Sequence, residues 1–236
     1  TPISETGIVG AGVGAALIGL RPIVELSYID FIGTCFDQIM NQAAKIRYMY
    51  GGAVNIPLVI RTEGGAGLGN GAQHSQSLEA ILSHIPGIRV LMPSNAYDAK
   101  GLLLRAIRDN NPVVFIEHKA LYKVKCEVPE EAYECDYTCD IKREGKDITI
   151  VAYSAMVNQA LKAAEQLAQE NIDVEIVDVR SLEPLDTETI VKSVQKTGRA
   201  VVVHEACRKG GFGAEIASQI QEAAWESLKA PVLRVG

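Results

Sequence analysis

The 236-residue sequence lacks several features that would place it in common protein classes. No apolar run reaches the roughly 18 residues that a membrane-spanning helix needs, so no membrane segment is predicted. With 23 Lys and Arg against 29 Asp and Glu, the net charge of −6 offers no basic surface for nucleic acid. The chain has five cysteines, an odd number that cannot all pair within one chain, and it is large enough to fold without disulfides. Reduced thiols and a cytoplasmic protein of bacterial type are therefore expected. Because the sequence opens on Thr1 rather than Met, it is also compatible with an organellar targeting segment before Thr1.

Short apolar runs alternate with longer helical patterns along most of the chain, and this alternation is typical of parallel sheets covered by helices. The pattern breaks over residues 119–146, which are acidic and hold three of the cysteines. We therefore predict an α/β chain of two three-layer, parallel-sheet domains, 1–118 and 147–236, joined by a linker at 119–146. The predicted strands are 22–27, 57–62, 88–92, 112–117, 147–153, 174–179, 200–205 and 232–235. The predicted helices include 36–50 and 95–109.

The segment from Gly10 to Ala15 fits the dinucleotide pattern G-x-G-x-x-A, and Asp30 lies near the distance of a ribose-binding acid. A nicotinamide site requires a strand before the glycines, whereas Ser4-Glu5-Thr6 is typical of a helix start. We therefore predict a helix over 6–20 whose small residues allow close packing. A nicotinamide site is the alternative.

Two titratable residues have both a structural and a functional interpretation. Glu5 lies in the first helical turn, where a carboxylate is favoured by the helix dipole, but it could also share a proton with a ligand. His74 follows a loop with five glycines in the eight residues 64–71, directly after a predicted strand. Ligands of open parallel sheets bind at this position, and no Lys-Ser/Thr pair marks a P-loop. His74 is therefore either a proton carrier or a structural hydrogen-bonding residue.

The cysteine spacing gives only weak support for a zinc site. Three of them, with His118, could supply zinc ligands, but their C-x8-C-x3-C spacing matches no common zinc pattern. We expect linker thiols without a metal at Cys126, Cys135 and Cys139. Cys35 and Cys207 are expected to be packing residues.

Several segments spread over both halves of the chain form one pattern. They are Thr1-Pro2-Ile3-Ser4-Glu5, Phe31 with Asp37-Gln38, Asn41-Gln42-Ala43-Ala44-Lys45, Ala72-Gln73-His74-Ser75-Gln76-Ser77, Tyr97-Asp98-Ala99-Lys100-Gly101-Leu102, Asn110-Asn111-Pro112-Val113, Val177-Asp178-Val179-Arg180-Ser181-Leu182, Pro184-Leu185-Asp186 and Gly210-Gly211-Phe212-Gly213-Ala214-Glu215-Ile216. Together they resemble the β subunit of thiamine-diphosphate-dependent 2-oxo acid dehydrogenases over nearly the whole chain.

The resemblance implies a pyrimidine-binding domain followed by a transketolase C-terminal-like domain. It also implies a further strand and helix before Thr1 and a tail beyond Gly236. The cofactor is expected between subunits, with the diphosphate and Mg²⁺ held by an α subunit and the aminopyrimidine ring held by this chain. The absence of a Gly-Asp-Gly magnesium motif fits that division. Activity is then expected only with the α subunit, in a heterotetramer of two α and two β chains.

The resemblance also assigns roles to particular residues. Glu5 matches the glutamate that hydrogen-bonds the aminopyrimidine nitrogen, and Phe31 matches the aromatic residue packed on the pyrimidine face. His74 matches the cofactor-site histidine that helps proton or acyl transfer toward the lipoyl arm. Glu5 and His74 are thus the expected catalytic residues. A potassium site in some relatives matches Leu58, Ala106, Ile107, Asp109 and Asn111.

The implied activity is decarboxylation of a small 2-oxo acid, pyruvate foremost, with acyl transfer to a lipoyl acyltransferase component. An acetoin dehydrogenase β subunit is the nearest alternative, because residues 117–123 resemble those of acetoin enzymes. Branched-chain 2-oxo acids come next. A non-catalytic assembly subunit and a nicotinamide-dependent reductase are alternatives of other classes, and the reductase depends on the G-x-G-x-x-A match alone.

Overall fold

The computed structural model describes all residues from 1 to 236, and helices and strands alternate along them. The strands are β1 Ile23–Leu26, β2 Val59–Gly64, β3 Arg89–Leu91, β4 Val113–His118, β5 Asp140–Arg143, β6 Ile148–Ala152, β7 Val174–Asp178, β8 Ser181–Glu183, β9 Ala200–Val203 and β10 Leu233–Val235. The helices are α1 Glu5–Leu17, α2 Ile46–Met49, α3 Glu79–Ser83, α4 Ala96–Arg108, α5 Ala155–Gln169, α6 Thr187–Thr197 and α7 Gly213–Ala224. None of the helices is both long enough and apolar enough to cross a bilayer.

The strands form two five-stranded sheets, in the orders β1-β2-β4-β3-β8 and β10-β9-β6-β7-β5. The predicted α/β fold with two sheets is confirmed. Both sheets are parallel except at one edge, where β8 runs antiparallel to β3 and β5 runs antiparallel to β7. β8 lies in the second half of the chain yet completes the first sheet, so the two halves share strand pairing as well as side-chain contacts. β5 lies within the segment that the sequence pattern suggested as a linker.

Burial on both faces explains why the central strands form. Every residue of Val113–Ile116 in β4 is buried, and β2 is buried over Val59–Ile60. Helices cover both faces, as they do in parallel sheets generally. One hydrophobic core continues from the first sheet into the second, and it includes Met92, Val179 and Leu182 near the junction.

Helix α1 begins at Glu5 and contains the whole segment from Gly10 to Ala15. A dinucleotide fingerprint lies between a strand and a helix, so this segment has the wrong context for a nicotinamide site. A Cβ atom at Gly12 would lie 2.8 Å from a methyl carbon of Val24 and 3.0 Å from one of Leu58. The interpretation as a close-packed helix is therefore confirmed.

The helix predicted over 36–50 is wrong in detail. Ile29–Cys35 is a 3₁₀ helix, Gln38–Ala43 is a π-helix, and only α2 is a short α-helix. The Asp37 carboxylate accepts hydrogen bonds from Asn41 Nδ2 at 2.7 Å and from Gln42 Nε2 at 3.3 Å. These donors lie four and five residues ahead, which suits the wide turn of a π-helix. Hydrophobic periodicity does not report such side-chain contacts.

All five cysteines are free thiols, in different surroundings. Cys35 and Cys135 are buried, Cys139 contacts Asp186, and Cys126 is exposed. Cys207 is also exposed, so its prediction as a packing residue is wrong, because the residues after β9 turn outward.

Candidate active site

Glu5, Phe31 and His74 meet at one edge of the first sheet. Phe31 follows β1 and His74 follows β2, and these strands are parallel, so the segments that leave their carboxyl ends lie side by side. The first turn of α1 brings Glu5 to the same edge. The structure thus brings together the three residues for which the sequence predicted a site.

Thr34 links Glu5 to the segment that carries Phe31. Its Oγ1 lies 3.3 Å from Glu5 Oε2 and 2.8 Å from the Phe31 carbonyl oxygen, and Thr6 Oγ1 donates to the Thr34 carbonyl at 2.5 Å. The Glu5 side chain stays partly open to solvent. Burial raises the pKa of the neighbouring Cys35 thiol to about 11, and the charge of Glu5 adds to that shift. The thiol is therefore neutral beside the carboxylate at neutral pH.

The imidazole of His74 packs edge-on against two aromatic rings. Its centroid lies 4.6 Å from that of Tyr28 and 5.4 Å from that of Phe31, with interplanar angles of 84° and 90°. Edge-to-face contacts at these distances are favourable and fix the orientation of the ring. The nearly buried Lys119 donates from Nζ to the backbone carbonyl of His74. The same ammonium lies 5.0 Å from the centroid of the Tyr28 ring, which is cation–π distance.

The glycine-rich loop that carries His74 (residues 65–76, the His74 loop) is held together by a hydrogen bond between its two ends. Gly65 N donates to the Gln76 carbonyl at 3.1 Å, so both ends of the loop meet. Gln76 donates from its backbone nitrogen and from Nε2 to Asp30 Oδ1, at 3.2 and 2.9 Å. Because Asp30 precedes Phe31, the base of the His74 loop is joined to the aromatic side of the site. Gly65 has φ +85, a conformation that favours glycine.

The second half of the chain reaches this loop through Glu205, which follows β9. Ala66 N donates to Glu205 Oε1 at 2.9 Å, and Glu205 Oε2 pairs with Nε2 of His118 at the end of β4. The hydrogen bond from His118 holds the pKa of Glu205 below its ordinary value, against the opposing effect of burial. Glu205 is therefore an anion at neutral pH.

A buried carboxyl, that of Glu79, lines the same cavity as His118 and Glu205. Glu79, the first residue of α3, is almost fully buried, and Tyr153 Oη donates to its Oε1 at 2.9 Å. Burial raises the pKa of Glu79, and the hydrogen bonds that it accepts only partly offset this shift. Glu79, His118, Tyr153 and Glu205 line one small cavity between the two halves of the chain.

Sequence reasoning missed the residues that support the three predicted ones. They are Tyr28, Thr34, Lys119 and Glu205, together with His118, which was considered only as a zinc ligand. A signal existed for His118 and Glu205, because His118 follows one predicted parallel strand and Glu205 is the last residue of another, at the edge where sites form. Their pairing was not predictable, since it joins the ends of strands in different sheets.

The residues of the expected potassium site have other partners. Arg21 Nη1 donates to the carbonyl oxygens of Ile107 and Asp109, at 3.0 and 2.8 Å. Backbone amides donate to the carbonyls of Leu58 and Ala106, and Arg47 donates to Asn111 Oδ1. The segment 107–109 thus offers its oxygens to a cation, which is here the Arg21 guanidinium. A potassium site at these residues stays a prediction.

Two family models match the chain. One is described as the pyrimidine binding domain of transketolase and matches residues 1–125, and the other as the C-terminal domain of transketolase and matches residues 138–236. A solved structure described as a split-gene transketolase in an inactive beta4 tetramer is similar with a TM-score of 0.81 and 27% identity. The similarity covers 99% of this chain and 72% of that one. The fold and the site therefore define a transketolase-type chain.

The sequence relatives narrow the class. Acetoin:2,6-dichlorophenolindophenol oxidoreductase subunit beta of Cupriavidus necator is 53% identical over 98% of this chain and 69% of its own length. The protein of the same name in Bacillus subtilis is 50% identical over 100% and 69%. Pyruvate dehydrogenase E1 component subunit beta of Staphylococcus epidermidis is 46% identical over 100% and 73%. The chain belongs to the family of thiamine-diphosphate-dependent 2-oxo acid dehydrogenase β subunits, as its sequence motifs predicted.

Proposed function

We propose that the chain works with an α subunit, in a heterotetramer of two α and two β chains, to decarboxylate a small 2-oxo acid. Pyruvate is the foremost substrate, and the acyl group passes to the lipoyl domain of an acyltransferase component. The meeting of Glu5, Phe31 and His74 at one sheet edge carries this proposal. The free thiols suit a reducing compartment such as the bacterial cytoplasm.

The residues present suit the pyrimidine end of thiamine diphosphate. Thr34 contacts Oε2 of Glu5, which leaves Oε1 for a ring nitrogen, and the same hydroxyl joins Glu5 to the backbone of Phe31, whose ring is the aromatic group proposed for the pyrimidine. When bound, the cofactor supplies the electron sink that accepts the electrons released as carbon dioxide leaves. No group of three or more His, Cys, Asp or Glu side chains in this chain is placed to hold a metal ion. We assign the diphosphate and its Mg²⁺ to the α subunit.

The chain's own residues would move protons and exclude water. A carboxyl at Glu5 holds or releases a proton at the oxygen that faces the pyrimidine nitrogen, and so sets the protonation state of the ring. The imidazole of His74 gives or takes a proton close to where the acyl group leaves for the lipoyl arm. Tyr28 and Phe31 cover the imidazole and hold it in one orientation.

Acetoin is the second candidate substrate, and the relatives give a specific reason for it. The two acetoin-enzyme β subunits are 53% and 50% identical to this chain, against 46% for the pyruvate dehydrogenase subunit. Acetoin lacks the carboxylate of pyruvate, so the two substrates differ in the charge of the group attached to the reacting carbonyl carbon. Parallel assays of pyruvate, acetoin and branched-chain 2-oxo acids with an artificial electron acceptor would separate them.

Replacement of Glu5 by Gln in the complex with the α subunit tests the catalytic proposal. We expect normal assembly and a loss of decarboxylation of about 10²- to 10⁴-fold, because Gln cannot exchange the proton. Turnover with the artificial acceptor and size-exclusion chromatography measure the two properties. Glu226→Gln, at an exposed position outside the site, is the matched control. Full turnover of the Glu5 variant would instead favour a non-catalytic assembly subunit.

A further inference from the structure

One carboxylate from the second half of the chain contacts the start of the His74 loop and the histidine that packs against it. Glu205 Oε1 accepts from Ala66 N at the start of the loop, and Glu205 Oε2 pairs with His118. The His118 ring lies directly against Gly65, where a Cβ atom would be 2.1 Å from Nε2. The proposed roles of Glu5, Phe31 and His74 give Glu205 and His118 no part in the chemistry.

The hydrogen bonds of His118 define its tautomer. Ala120 N donates to His118 Nδ1 at 3.2 Å, so this nitrogen accepts and carries no proton. The proton of the neutral ring is therefore on Nε2, which donates to Glu205 Oε2. Because both ring nitrogens are engaged, the imidazole has one orientation, and Glu205 selects it.

The same ring supports the residue that holds His74. His118 Nδ1 accepts from the backbone at the start of the 3₁₀ turn Lys119–Leu121. Lys119 extends from this turn, and its Nζ donates to the carbonyl of His74. The ammonium also lies over the Tyr28 ring, which packs on the His74 imidazole. A continuous set of contacts therefore joins Glu205, through His118 and Lys119, to His74.

We propose that Glu205 is a positioning residue for His74, acting through His118 and Lys119 on the His74 carbonyl and through Ala66 N on the start of the loop. This inference rests on the proposed function of His74. The second domain thereby takes part in the reaction without touching substrate, since it sets the place of a group in the first domain. Misplacement of a catalytic group by about 1 Å can cost a factor of about 10² in rate.

The test is a double-mutant cycle in the complex with the α subunit. Glu205→Gln has one acceptor oxygen for two donors, Ala66 N and His118 Nε2, so one of the two contacts is lost whichever way the amide turns. We expect acyl transfer to a lipoyl domain to fall about 10- to 100-fold, with KM for the 2-oxo acid within about twofold. In a His74→Ala background the same substitution is expected to change the rate by less than about twofold, because there is no imidazole left to position.

Glu205→Asp is the second variant. It keeps the charge but is one methylene shorter, so it cannot span Ala66 and His118, and we expect a smaller loss that also vanishes without His74. An equal loss from Glu205→Gln in both backgrounds would overturn the positioning role alone. Full turnover of His74→Ala by itself would overturn the proposed function of His74, and the positioning role with it. Glu226→Gln, at an exposed position, controls for charge removal.

Discussion

At the scale of single residues, two glycines of the His74 loop have left-handed backbone conformations for different reasons. Gly65 and Gly67 have φ +85 and +92, so both favour the absence of a Cβ atom. A Cβ at Gly65 would strike the His118 ring, whereas nothing lies within 4 Å of one at Gly67. The same residue type thus serves a tertiary contact at one position and only a turn at the other.

Alanine at each of these positions separates the two effects. Gly67→Ala is expected to cost about 1 kcal/mol of stability, which is the backbone cost alone. Gly65→Ala adds a steric clash that costs about 1–3 kcal/mol more in stability. Because the clash displaces His118, turnover should also fall about 10- to 100-fold. Thermal unfolding and turnover of the two variants provide the measurement. Equal unfolding temperatures would mean that the His118 ring moves away freely.

At the scale of elements, two glycines of α1 lie in different environments. Gly12 faces Val24 of β1 and Leu58, at distances that leave no room for a methyl group, whereas a Cβ at Gly14 meets nothing within 4 Å. The helix can approach the sheet closely only because of Gly12. Since α1 carries Glu5 on its first turn, this approach also sets where the proposed catalytic carboxylate lies.

Alanine substitutions along α1 should therefore have opposite signs. Gly14→Ala is expected to stabilise the β chain by up to about 1 kcal/mol, since alanine favours a helix over glycine. Gly12→Ala gains the same helix preference but overpacks the core, for a net loss of about 1–2 kcal/mol. Urea unfolding of the two variants measures both. Stabilisation by Gly12→Ala would show that the helix shifts at no cost.

At the scale of the whole molecule, buried charges join the two halves. Asp98 of α4 accepts from Lys142 Nζ at 2.7 Å and from Arg180 Nη1 at 2.8 Å. Burial opposes the charge of Asp98, but these hydrogen bonds hold its pKa below the ordinary value. Asp178, fully buried beside them, accepts from Ser94 Oγ at 2.5 Å. Burial raises the pKa of Asp178 to about 7, although Ser94 and Lys142 oppose the shift.

The contributions of Asp98 and Asp178 to the free energy of unfolding depend on pH in opposite directions. Asp98 favours the folded state above its unfolded pKa of about 4, and this contribution is lost as pH falls through its lower folded pKa. Asp178 binds its proton more tightly when folded, so its contribution is present below about pH 4 and is lost as pH rises from about 4 to 7. The junction between the halves is therefore expected to weaken toward neutral pH through Asp178 and, in the same direction, through Glu79, whose pKa burial also raises.

Asp178→Asn tests this assignment. Asparagine is neutral at every pH, so the decline of stability between pH 5 and 7 should flatten by about 2 kcal/mol, or about 5 °C in Tm. Thermal unfolding of wild type and variant across that range is the measurement, and the difference between them removes the contribution of other groups. Parallel curves would place the titration elsewhere.

The order of elements was largely predictable, and the reason is local. β4 begins with the apolar run Val113–Ile116, and α4 follows Asn95, whose side chain accepts from Asp98 N at 2.8 Å. The edge strands β5 and β8 are short and carry polar residues, so they have no such signal. The π-helix after Cys35 depends on Asp37 contacts that no periodicity reports.

By itself, the sequence determined the two α/β halves, the family and the three residues Glu5, Phe31 and His74, because these are properties of local pattern and motif. Only the tertiary structure decided what holds His74, since Lys119, His118 and Glu205 come from the ends of strands in two different sheets. It also decided that β8 completes the sheet of the other half. Contacts between residues 87 positions apart, such as His118 and Glu205, follow from the packing of whole domains and leave no trace in spacing.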